Sequence, residues 1–201
     1  MQKEFERSEA QESLLSIVEA FRQMRTVLAR QRVGNYLILW GLVDFAGYIL
    51  TEILRDFGKY EFINFSWMVL IGFGLIGTFV ITLKMIKRTR AYFPEGFYIG
   101  LIWLSLVLYG LIIWAIIKMG ETRLSEIQVS LLWLNFAMLG FVLIGIFLGV
   151  EIAVIGVAVS VFSILSAVFL SEFFNISMAL LCLIAFVGGG LYINKKWDVK
   201  K

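Results

Sequence analysis

One carboxylate stands in an apolar setting. Asp44 interrupts the run from Tyr36 to Leu50, within the stretch WGLVDFAG at 40 to 47. An ionisable side chain in such a run is a candidate for ion or proton handling if the run crosses a bilayer. Its plainer role is a hydrogen bond that ties one helix to another. At helical spacing Gly41, Asp44, Tyr48 and Thr51 share one face, so the carboxylate is expected to point into a bundle, beside groups that can hydrogen-bond. Asn135, in the similar stretch LWLNFA at 132 to 137, is the expected partner. Asp44, Asn135, Tyr48 and Thr51 are therefore the candidate intramembrane polar site.

Little else in the chain could do chemistry. Histidine is absent from the 201 residues, and Cys182 and Pro94 are single. There is thus no disulfide framework, no Cys/His zinc spacing and no histidine to act as a base or axial ligand. Catalysis needs convergent acid, base, nucleophile or metal ligands, so the chain is not expected to be an enzyme, and neither a cofactor nor a metal is expected. Cys182 lies in an apolar stretch and reads as a small hydrophobe. The run Gly188-Gly189-Gly190 is not followed by a phosphate-binding pattern and is not a nucleotide loop.

These residues must be positioned by membrane helices. The chain is 60% hydrophobic and 16% charged, against about 25% charged in an ordinary soluble domain. Apolar runs fall at 36 to 54, 65 to 86, 97 to 117, 127 to 149, 152 to 170 and 176 to 193. A hydrocarbon core of roughly 30 Å needs about 20 helical residues. The fold class is accordingly all-α: a six-transmembrane-helix bundle over 35 to 194, preceded by a cytoplasmic amphipathic helix over 1 to 34 and followed by a basic tail, 195 to 201. As one helix, 127 to 170 would be about 66 Å long, so the chain must fold back at Gly149, Val150 and Glu151.

Within this plan Asp44 lies about 12 Å into the bilayer, where an aspartate costs about 2.5 to 3.5 kcal/mol on insertion scales. Asn135 differs from it in depth by about 6 Å if spans 1 and 4 are neighbours. The echo between the two stretches also fits a three-plus-three inverted repeat, as in many transporters.

Charge orients the chain. With the N-terminus cytoplasmic, the inner segments carry Lys3, Arg7, Arg22, Arg25, Arg30, Arg32, Lys84, Lys87, Arg88, Arg90, Lys195, Lys196, Lys200 and Lys201, while only Arg55, Lys59, Lys118 and Arg123 face outward. Lys and Arg near span ends favour the cytoplasmic side. Both termini are therefore expected inside, in a plasma membrane, with a prokaryotic inner membrane as the default source.

The N-terminal segment follows a different pattern. Ser8 and Gln11 make a capping-box spacing, and Leu14, Ile17, Phe21, Met24 and Leu28 form one helical stripe. Arg22, Arg25, Arg30 and Arg32 lie close to the first span. Such a helix rests on anionic lipid or seats in a partner's groove. Leu14, Phe21, Met24 and these four arginines are its candidate contact residues. Its acidic residues and missing apolar core exclude a cleavable signal peptide.

Small residues mark the expected helix contacts. Gly41 and Gly74, Gly145 and Gly149 in the fourth run, and Gly156, Ser160 and Ser163 in the fifth would let helices approach closely. Gly74, Thr78 and Thr82 form a second stripe of this kind. Asn64 and Asn175 open glycosylation-type triplets but are better explained as helix N-caps, and Ser125 with Gln128 as a capping box. Arg55, Asp56, Lys59 and Glu61 read as a solvated loop. The function expected is a non-catalytic scaffold or accessory subunit of a membrane complex; the alternative is an oligomeric ion- or proton-coupled transporter or channel working at Asp44. The partners expected are the lipid bilayer and another membrane protein or further copies of this chain, with no nucleic acid.

Overall fold

A computed structural model describes residues 11–16, 19, 34–89, 94–120 and 124–197. Their order is α1 (Gly34–Asp56), α2 (Glu61–Thr89), α3 (Pro94–Met119), α4 (Glu126–Leu148), α5 (Val150–Phe169), a 3-10 turn (Ser171–Phe173), α6 (Phe174–Cys182), a π turn (Leu183–Gly188) and α7 (Gly189–Trp197). The turn elements, α6 and α7 form one continuous sixth rod, Ser171–Lys196, so six helices are long and apolar enough to cross a membrane. Their bounds lie within a few residues of the apolar runs at both ends. Residues 11–16 are helical and Leu14 is exposed. The rest of the predicted N-terminal stripe, Arg22, Arg25, Arg30 and Arg32, and the tail after Trp197 lie outside the described residues.

Local chemistry accounts for the ends. α1 stops in a Schellman motif: Gly58 takes φ 66°, its N–H donates to Arg55 O, and the Lys59 N–H donates to Leu54 O. Only glycine adopts that left-handed conformation without a steric penalty. Pro94 opens α3, where its missing N–H costs nothing. Ser125 caps α4 through the full reciprocal box, its hydroxyl accepting from Gln128 N at 3.3 Å and Gln128 Oε1 accepting from Ser125 N at 2.9 Å. Gly149 alone separates α4 from α5, in the predicted place.

The asparagine caps are corrected. α2 begins at Glu61, so Asn64 lies inside its first turn, and the residue preceding α6 is Phe173, which makes no side-chain cap. Asn175 instead donates across to α1, as described below.

The helices associate in two groups. α1 is flanked by α2 on one side and the sixth rod on the other; α4 and α5 form a tight hairpin with α3 on its α4 side. Between the groups, α5 packs on the sixth rod, and Phe141 of α4 stacks on Phe186 with centroids 5.4 Å apart. The buried apolar side chains, including Leu37, Leu134, Met138, Val159, Met178 and Ile193, come from α1, α4, α5 and the sixth rod, and among the described residues none comes from α2 or α3. Among the described residues no extensive packing joins α2 to α3, whereas α5 packs on the rod that follows it. The first three helices and the last three are therefore not packed alike.

Glycine sets the closest approaches. A Cβ at Gly145 would meet the backbone nitrogen of Ala153, and one at Gly156 would sit 2.9 Å from Met138 O. Gly41 admits Phe186, whose Cβ would be 2.7 Å away, and Gly74 admits the Trp40 ring. In a bilayer, where burial of apolar surface gains little, such backbone proximity with its dispersion contacts would supply much of the association. Ser163 is buried and donates to Ser160 O at 2.8 Å.

Candidate functional site

On α1, Tyr36, Trp40, Asp44, Gly47 and Thr51 form a stripe at spacings of four and three, polar except for the glycine. This stripe faces α2. Tyr36 and Thr82 join hydroxyls at 2.9 Å, Trp40 Nε1 donates to Thr78 Oγ1 at 3.1 Å, and Trp67 Nε1 donates to Thr51 Oγ1 at 2.9 Å. Thr51 passes its own proton to Gly47 O at 2.8 Å. All three cross-helix pairs keep one antiparallel register, and that register sets Gly74 level with Asp44. α2 thus offers the carboxylate no side-chain donor, and Trp40 fills the space over that glycine.

Tyr48 looks toward the other group. Its hydroxyl meets Ser130 Oγ of α4 at 2.9 Å, and its ring makes edge contacts with Trp67 at 5.3 Å and Phe174 at 6.3 Å. Asp44 lies one turn away, half-buried. Tyr48 and Cys182 are in electrostatic reach of it. Among the described residues no hydrogen bond or ion pair reaches its carboxylate.

The expected bond from Asp44 to Asn135 is not formed. Asn135 Nδ2 turns back to Leu131 O of its own helix at 2.8 Å, the local alternative open to a short polar side chain. α4 reaches α1 one turn nearer its N-terminus, through Ser130. Of the four residues of the predicted site, the fold brings Asp44, Tyr48 and Thr51 onto neighbouring faces of α1 and leaves Asn135 bonded within α4.

Two polar clusters were not anticipated. At the Asp56 end, Glu52 accepts from Arg55 at 2.7 Å and from Asn175 Nδ2 at 2.9 Å, while Arg55 also donates to Glu172 O at 3.2 Å. At the Gly34 end, Asn194 Nδ2 donates to Asn35 Oδ1 at 2.8 Å and Lys196 pairs with Glu151 at 2.7 Å. Together they pin α1 to the sixth rod at both ends, and the rod to α5 at one. Glu52 and Arg55 at i and i+3 were a legible pair; Asn175, distant in sequence by 123 positions, was not. Arg55 accordingly braces two helices and is not part of a solvated loop.

Among the described residues the mid-helix contacts are neutral hydrogen bonds, and the ion pairs Arg55–Glu52 and Lys196–Glu151 lie toward the helix ends. Among the described residues no three His, Cys, Asp or Glu side chains gather as metal ligands. No protein-family model matches the chain, and no curated protein or solved structure matches it.

Proposed function

We propose that this chain is a small non-catalytic integral membrane protein, with both termini cytoplasmic, that serves as a scaffold or accessory subunit of a membrane complex. One observation carries the reading: apart from Asp44, the polar side chains at the contacts of α1, α2 and α4 are used in bonds between or within helices, namely Tyr36 with Thr82, Trp40 with Thr78, Thr51 with Trp67, Tyr48 with Ser130, and Asn135 with its own backbone. A transport path would need such groups free to line it. Support for the orientation comes from the distribution of Lys and Arg. The N-terminal segment, with its apolar stripe and four arginines, is the cytoplasmic contact element.

The test is purification in mild detergent from the native membrane, for the full chain and for one lacking residues 1 to 32. The expected result is a co-purifying membrane protein in fixed ratio that is lost on truncation, with helix content per remaining residue maintained. A partner retained by the truncated chain would move the contact into the spans; a chain that purifies alone would remove the accessory role.

A second reading is favoured by one feature, the half-buried Asp44 without a hydrogen bond from the described residues. In that reading the protein is an oligomeric transporter or channel that passes ions or protons at mid-membrane. Asp44→Asn would then abolish flux in reconstituted vesicles while insertion and elution volume stay unchanged. Undiminished flux in the variant would exclude this residue as the carrier.

A further inference from the structure

Every polar member of the α1 stripe has a partner except Asp44. Its neighbours in register on α2 are bonded or glycine, and α4 presents a neutral serine already bonded to Tyr48. The third neighbour is the sixth rod, where the helix widens to a π turn at Leu183–Gly188, directly after Cys182. Short π segments inside α-helices occur frequently at functional sites. Here the widened turn crosses α1 one turn from Asp44: a Cβ at Gly41 would meet Phe186 Cβ at 2.7 Å and Val187 N at 3.2 Å. The carboxylate therefore lies at mid-helix, beside an irregular stretch of main chain and close to the seam where the two helix groups meet at Tyr48 and Ser130.

We propose that Asp44 is a proton-binding site, held at this seam between α1, the π turn and α4. The inference rests on reading the six helices as membrane spans; it requires neither flux nor a protein partner. A single carboxylate fits a single positive charge. Divalent ions take six or more oxygen ligands, usually with several carboxylates or waters among them, and the other acidic side chains of the described helices, such as Glu52, Glu61, Glu126 and Glu151, lie near helix ends. The titratable side chains facing Asp44 are Tyr48 of its own helix and Cys182 of the sixth rod, both uncharged when protonated; α2 brings Gly74 and α4 brings Ser130, neither ionisable. An occupied site would remove the one charge of the stripe.

Dicyclohexylcarbodiimide tests this directly. The reagent is lipid-soluble and forms a stable adduct with a protonated carboxyl group in apolar surroundings. The full chain in its own membranes should gain one adduct, on the peptide that carries Asp44. The adduct should be retained in Asp44→Glu and lost in Asp44→Asn, with unchanged elution volume as the folding control. Labelling that falls as pH rises and ignores sodium identifies the proton as the cation. Labelling that sodium, but not choline, suppresses at fixed pH would show a metal ion in the site and overturn the proposal. No adduct at Asp44 under any condition, an adduct on Glu52 or Glu151 instead, or labelling of Asp44 indifferent to both pH and sodium would overturn the proposal. Partner loss on truncation is a separate readout, so either idea can fail alone.

Discussion

Gly145→Ala is expected to destabilise the protein by about 1 to 3 kcal/mol, the usual range for forcing extra volume into a packed contact. The added methyl group would meet the backbone nitrogen of Ala153, with Ala153 Cα and Cβ both at 2.7 Å. Main chain on both sides cannot swing away as a side-chain tip can, so α4 and α5 must separate. The comparison that makes this specific is Gly72→Ala and Gly100→Ala. At both positions a Cβ meets nothing within 4 Å, and alanine is favoured over glycine in a helix interior by about 1 kcal/mol. These two should be neutral or slightly stabilising. The measurement is thermal or denaturant unfolding in one detergent, with the four proteins side by side. Equal effects at all three glycines would show that helix propensity, and not the α4–α5 approach, governs stability.

Phe186→Ala should have the largest effect of any single truncation considered, about 3 to 5 kcal/mol, as for other buried phenylalanines. Its ring is 1% exposed, stacks on Phe141 with an interplanar angle of 27°, and its Cβ fits the notch left by Gly41. It therefore touches both helix groups, and removing it opens a cavity at their seam that neither can fill alone. Phe173→Ala is the control. That ring is 59% exposed, and a substitution of this kind away from packed contacts changes stability by roughly 0.5 kcal/mol or less. Both are read by unfolding in detergent, and cross-linking between α4 and the sixth rod reports whether the groups part first. A small effect of Phe186→Ala would mean that the seam is held by its hydrogen bonds and end clusters instead.

The two predictions depend on features of unequal legibility. Gly145 was visible as a small residue in a hairpin that had to fold back at Gly149, because 127 to 170 is too long to cross once. Phe186 was one aromatic among 18 phenylalanines, with nothing in its surroundings to separate a seam residue from a lipid-facing one. Asp44 was visible by its charge alone, but its expected partner was wrong. Depth matched Asn135 to it, whereas the rotation of α4 brought Ser130 to α1 and left the amide to its own helix.

The sequence by itself determined what depends on composition and short-range chemistry. Six long apolar helices, the capping box at Ser125 and the turn starting at Gly149 all follow from hydrophobic length and from backbone groups that neighbouring residues must satisfy. Only the tertiary structure decided which helices touch, which face each turns inward, that Thr78 and Thr82 receive Trp40 and Tyr36, and that Glu52 reaches Asn175. The physical reason lies in the solvent. In water a helix advertises its buried face by an apolar stripe against a polar remainder; helices apolar all round carry no such contrast, and close packing with a few long-range hydrogen bonds then selects the neighbours.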